Sequence, residues 1–280
     1  MKIITSKFFA ENPNTLVHLP VNRERQRAVL DYLHSSHFPY MEIDLRSITE
    51  QECLTILSEI HMKEYIDKAR VSEMYSSSLE YLKLIKHGAA LLPKANVFCI
   101  GYPGGHHAER CWVPGKGFCV FSNAAFASLL MRQTYGRVLI VDFDLHQGNG
   151  TKDVIKNLAD MLLVSFHATG IYPLYDVRED MPQKNYIGVP IASGDTTFEY
   201  TILRVITEAI DSFYPDCIVI SAGFDAHASD FNTLAFTEDT YISIGKRLGG
   251  CRLPTLAVLE GGYNLATLGQ LIASFAGAFD

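Results

Sequence analysis

The chain has 280 residues, 48% hydrophobic and 20% charged, enough apolar surface for a sizeable core. Its 31 acidic residues outnumber 24 basic ones for a net charge of −7, the wrong sign for a protein that binds nucleic acid by neutralising phosphates. No run of about 18 apolar residues is free of charges or turn formers, residues 1–10 lack a signal-like stretch, and the six cysteines form no CxxC pair; membrane insertion and secretion are disfavoured, and reduced thiols in a cytoplasmic protein are expected.

In chain order, apolar runs rich in β-branched residues occupy 2–5, 97–100, 138–141, 161–165, 217–221 and 256–259. They are continuous, not alternating, as in strands covered on both faces of a parallel sheet. Helical patterns fill the gaps at 50–59, 77–92, 123–134, 197–212 and 238–248. The alternation predicts an α/β fold, a mainly parallel sheet flanked by helices on both faces. With no repeat, low-complexity tract or linker, residues 1–280 read as a single domain. The chemically suggestive residues follow the strands directly, at 102–109, 142–149, 167, 223–230 and 260–264, and should gather at the carboxyl edge of the sheet, where ligands bind.

In the segment from Arg137 to His146, Asp142, Asp144 and His146 alternate with Phe143 and Leu145. An extended backbone would put the three polar groups on one face. Two buried carboxylates and an imidazole call for a cation among them, although hydrated acids at a strand end would give the same pattern. Asp225, after the run 217–221, offers a further ligand. Two carboxylates and one imidazole leave a tetrahedral zinc ion one open position, as a hydrolase requires. His227 is the rival to Asp225 but lies farther from the strand.

The turn Gly101-Tyr102-Pro103-Gly104-Gly105 delivers His106 and His107 as a tandem pair. Its glycines permit a close backbone approach that could bring both imidazoles to the metal; exposed loop histidines are the alternative. A second strand, glycines and one ring recur in Leu259-Glu260-Gly261-Gly262-Tyr263. Tyr263 could donate to a carbonyl oxygen as negative charge develops there, or be an ordinary rim tyrosine.

Gly-Gly-His106-His107-Ala, Gly117-Phe118-Cys119, Asp142-Phe-Asp144-Leu-His146-Gln-Gly-Asn149-Gly, Ser165-Phe166-His167, Gly-Phe-Asp225-Ala-His and Glu-Gly-Gly-Tyr263-Asn together resemble the histone deacetylase family. The likeness runs from about residue 101 to 264, with a weaker stretch at 61–66, and Gln147 resembles the class IV-like and bacterial branches. It implies an arginase-like domain with one catalytic zinc on Asp144, His146 and Asp225. It further implies a structural monovalent cation, usually potassium, held by Asp142, Asp144, His146, Ser165 and Phe166. The implied acyl tunnel is walled by Gly117 and Phe118, with Tyr172 opposite and Gly261 and Gly262 beside them. The first histidine of the pair would bond Asp142. The second would bond Asn149, where relatives carry an acid, so His107 is expected to stay neutral and act as general base.

The family acts on acetyl-lysine, acetylpolyamines and other acyl amides, and acetyl-lysine is the reading preferred here. Polyamine-selective relatives carry an acid where this chain has Asn232, although Glu73 or Glu109 could supply one. A binuclear manganese hydrolase of arginase type, which would need more bridging acids, and a non-catalytic acyl-lysine binding protein, which would be expected to have lost Tyr263 or a ligand, are the readings from other classes.

Overall fold

A computed structural model describes residues 1–11, 19–92, 94–111, 116–173, 185–231 and 234–279. All six predicted strands form, and two others join them. They are β1 (Lys2–Ser6), β2 (Tyr40–Ile43), β3 (Val97–Cys99), β4 (Val138–Asp142), β5 (Met161–Ala168), β6 (Tyr186–Ile191), β7 (Cys217–Ala222) and β8 (Thr255–Leu259). They make one sheet in the order β2-β1-β3-β8-β7-β4-β5-β6, with every pairing parallel. The strands absent from the sequence reading, β2 and β6, are the two edges. Their outer residues are partly exposed, so neither carries a continuous apolar run.

The helices are α1 (Lys7–Glu11), α2 (Arg23–Ser35), α3 (Glu50–Ile60), α4 (Lys63–Ala69), α5 (Tyr75–Leu91), α6 (Asn123–Tyr135), α7 (Asn149–Ile155), α8 (Phe198–Phe213), α9 (Glu238–Gly249) and α10 (Leu268–Gly277). Five match the predicted helices to within two residues at each end. Capping boxes at Thr49–Glu52 and Thr237–Thr240 satisfy the first free amides of α3 and α9.

Strand side chains divide between two cores. Val138 and Ile140 pack on one side of the sheet with α3 to α6, while Leu139 and Val141 pack on the other with α2, α8, α9 and α10. Burial on both faces is why the central strands are apolar at every position. The central register is level: Asp142, the last residue of β4, pairs with Ser165 of β5 and Ser221 of β7. The chain passes from β3 to β4 across a gap that β7 and β8 fill later. Five adjacent strands, β3, β8, β7, β4 and β5, therefore present their carboxyl ends side by side; a polar cluster follows each of the first four, whereas β5 runs three residues beyond its predicted end and carries His167 within it. The described residues include no helix long and apolar enough to cross a membrane, and all six cysteines are free thiols.

Candidate active site

β4 stops at Asp142, so the extended backbone expected through His146 does not form. The chain bends instead: the Asp144 amide donates to Asp142 Oδ1 (3.0 Å) and the His146 amide to Asp144 Oδ1 (2.9 Å). Two successive Asx turns replace the pleat and keep its sidedness. Phe143 and Leu145 stay in the core while Asp144 and His146 line a pocket. Asp225 follows β7 and is anchored by the Leu145 amide, which donates to its Oδ1 (2.9 Å).

One donor atom each from Asp144, His146 and Asp225 lies within 4.8 Å of the other two, the one such metal-capable group among the described residues. Asp144 Oδ1 and Asp225 Oδ2 are each 3.1 Å from His146 Nδ1. Asp225 Oδ2 is buried and has no hydrogen bond. Burial and the neighbouring Asp144 push the Asp225 carboxyl up to about 6, outweighing the opposing pull of His146. Gly261 closes the group: a Cβ on it would sit 2.6 Å from both Asp144 Oδ2 and Asp225 Oδ2. An oxygen, nitrogen, oxygen donor set with an orphaned carboxylate oxygen fits a single zinc ion with an open coordination position. His227 stands apart, half-exposed, with its Nδ1 2.7 Å from Ser229 Oγ.

The two adjacent histidines are buried, with ring centres 4.0 Å apart. The first turn of α7 holds the loop, since the Gly150 and Thr151 amides donate to the His106 carbonyl (2.9 and 3.1 Å). Glu260 holds it from the other side, accepting from the Gly105 and His106 amides and from Ser221 Oγ. His106 Nδ1 is 3.0 Å from Asp142 Oδ2, and His107 Nδ1 is 2.6 Å from Asn149 Oδ1. The partners separate the two rings electrostatically. Burial disfavours charge on both, but Asp144, Asp142 and Glu260 outweigh it at His106 and hold that ring well above the ordinary histidine range. At His107 burial and the charge on His106 prevail, and the ring is held well below it.

Tyr263 lies on a loop clamped by two residues that sequence reasoning did not assign. Arg25 of α2, fully buried, donates to the carbonyls of Gly262 (2.6 Å), Glu260 (2.6 Å) and Gly261 (3.0 Å), and its guanidinium lies 5.7 Å from the centre of the Tyr263 ring. Asp230 Oδ2 accepts from the Tyr263 amide (2.5 Å) and the Asn264 amide (2.9 Å). Gly262 adopts φ of 109°, which a side chain would resist, and this turn aims Tyr263 back at the pocket. Burial, Asp225 and Asp144 push the phenol well above its ordinary value, so it stays a hydrogen-bond donor.

The resulting cavity is about 270 Å³. Gly117 presses on His107, and a Cβ there would collide with the ring. Phe118 faces Tyr263 at 6.4 Å between ring centres, and Tyr172 stands edge-on to His107 at 4.8 Å. Phe231 is an unanticipated wall, 5.6 Å from Tyr263. Gly261 lines the cavity; Gly262 instead offers its carbonyl to Arg25 and packs by Leu268 and Phe224. Ser165 and the buried Phe166 lie on β5 behind the group, Ser165 in register with Asp142. His167 is buried, pushed down to about 4 by desolvation. Glu109, weighed above as a possible rim acid, turns inward and accepts from Asn149 Nδ2 at 2.9 Å. Asn232 lies outside the described residues.

The family profile of the histone deacetylase domain matches residues 70–279. The chain is 37% identical to histone deacetylase 14, chloroplastic, of Arabidopsis thaliana, over 63% of this chain and 44% of that protein. It is 34% identical to an acetylpolyamine amidohydrolase of Burkholderia pseudomallei, over 72% of this chain and 60% of that protein. The chain thus spans less than two thirds of the length of either relative. The crystal structure of an acetylpolyamine aminohydrolase from Burkholderia pseudomallei superposes with a TM-score of 0.83 at 21% identity, over 100% of this chain and 98% of that one, a likeness of fold.

Proposed function

Since the chain belongs to the histone deacetylase family, we propose that it hydrolyses an N-acetyl amide, with acetyl-lysine as the preferred substrate, using one zinc ion held by Asp144, His146 and Asp225. The observation that carries this reading is the convergence of three donor atoms, two imidazoles of opposed basicity and a clamped phenol on one cavity. A zinc ion bound there would polarise the amide carbonyl and make the attacking water more acidic. His107, neutral and buried, takes the proton from that water and returns it to the departing amine. Asp142 orients His106, whose positive charge offsets the negative charge of the reacting centre. Tyr263 donates its hydroxyl proton in a hydrogen bond to the carbonyl oxygen as it becomes an oxyanion. Gly117, Phe118 and Tyr172 enclose the acyl arm, with Gly261 and Gly262 forming the turn beneath Tyr263.

The same reading includes a potassium ion near Asp142, Asp144, His146, Ser165 and Phe166, supported by the level register of β4 and β5, and a single domain over 1–280. The acetylpolyamine amidohydrolase relative supports a second substrate class, small acetylated amines. A panel of acetyl-lysine peptides, acetylpolyamines and longer acyl-lysines compared by kcat/KM separates the two. Preference for the peptides is expected, and selective turnover of acetylpolyamines would replace it with the second reading.

A further inference from the structure

We propose that Glu109 is a positioning residue that fixes the tautomer of His107 through the side-chain amide of Asn149, an inference that rests on His107 being the general base. Three groups stand in line. His107 Nδ1 is 2.6 Å from Asn149 Oδ1, and Asn149 Nδ2 donates to Glu109 Oε1 at 2.9 Å.

A side-chain amide by itself does not specify a tautomer. It can offer its oxygen, which requires a proton on His107 Nδ1, or its NH2, which requires Nδ1 to be bare and Nε2 to carry the proton. Only the first arrangement leaves a lone pair on Nε2 to accept a proton. A carboxylate offers acceptors alone, so Glu109 compels the NH2 of Asn149 to face it. The amide oxygen is then left for His107, and the proton must sit on Nδ1. An acceptor at the far end of the line thereby decides the ring state at the near end.

The surroundings keep Glu109 in place. Its carbonyl lies 2.8 Å from His61 Nδ1, and the Ser122 amide donates to His61 Nε2 at 3.0 Å, so His61 carries its own proton on Nδ1 and donates to Glu109. The next amide, of Arg110, donates to Asp153 Oδ2 at 3.0 Å on α7, the helix that Asn149 begins. Both partners of the line are thus tied to one unit. Asn149 is buried, which keeps competing water from its amide.

The tautomer is read from long-range 1H–15N correlations of the histidine rings in 15N-labelled, zinc-loaded enzyme, with His107 assigned by its disappearance in His107→Gln. A protonated Nδ1 and a bare Nε2 are expected in the wild type, and a mixed or reversed ring in Glu109→Gln, whose amide no longer dictates the direction. A wild-type ring protonated on Nε2, or a Glu109→Gln spectrum identical to wild type, overturns the proposal. Kinetics supply the second arm. Glu109→Gln should lower kcat roughly tenfold, a part of the ~10²–10⁴-fold that a general base contributes, with KM unchanged. In an Asn149→Asp background it should cost nothing, because the introduced carboxylate is itself only an acceptor and no longer needs direction. Equal losses in both backgrounds would mark Glu109 as merely structural and overturn the proposal. If no acyl amide is cleaved by the wild type, the proposed function fails, while the wild-type spectrum still decides the tautomer.

Discussion

Tyr263→Phe removes one oxygen and leaves the rest of its loop in place. The loop is held by backbone contacts that the substitution does not touch: three carbonyls on Arg25 and two amides on Asp230. The ring also keeps its neighbours Phe118 and Phe231, at 6.4 and 5.6 Å. A phenylalanine should therefore occupy the same position and preserve the apolar wall. What is lost is one donor to the developing oxyanion, for which kcat should fall by ~10²–10³, or ~2.7–4 kcal/mol of transition-state stabilisation. KM should change by less than about threefold, because the interaction forms mainly in the transition state. The phenol is held well above its ordinary value, so it is protonated throughout the working range and the loss should not vary with pH. Steady-state acetate release from an acetyl-lysine peptide, measured with zinc content, tests this. A kcat within about twofold of wild type, or a loss confined to KM, would refute the oxyanion role.

Arg25→Met should lower kcat toward that of Tyr263→Phe, since three carbonyls lose charge-assisted bonds of ~1.5–3 kcal/mol each; unimpaired turnover would disprove the clamp. Asn149→Asp places a carboxylate against His107 and favours its protonated form. A base works only when neutral, so the acidic limb of kcat/KM should move to higher pH, and an unchanged profile would count against His107 as the base. His61 is depressed from 6.5 to about 4 by burial. Its stabilising contribution, ~3 kcal/mol by linkage, is present above pH 6.5 and lost as pH falls through about 4. His61→Gln should flatten the dependence of Tm on pH across that window, and an equally steep decline in the variant would show that another group is responsible.

Much of the site was legible because each ligand lies within a few residues of a buried strand. The β4 run leads to Asp144 and His146, the β7 run to Asp225 and the β8 run to Tyr263. The two-faced burial that makes such runs apolar also makes their polar endings conspicuous. Edge strands lack that contrast, and β6 even contains Pro190. Helix α10, LGQLIASFAG, is apolar almost throughout, and a short apolar run does not by itself distinguish a buried helix from a buried strand. Arg25 and Asp230 were invisible for another reason: they act on backbone atoms, and Arg25 reaches a carbonyl 237 positions away. No local pattern announces such a contact. Glu260 was adjacent to the glycines of the motif, yet its role depends on a loop more than 150 residues earlier.

The most direct test is metal content measured alongside turnover. Purified enzyme should hold one zinc ion per chain, lose acetate release when the ion is chelated, and regain it as one equivalent is returned. Asp225→Ala should abolish both the zinc and the activity. Two manganese ions per chain, or full acetate release from metal-free protein, would contradict a single-zinc deacetylase built on Asp144, His146 and Asp225.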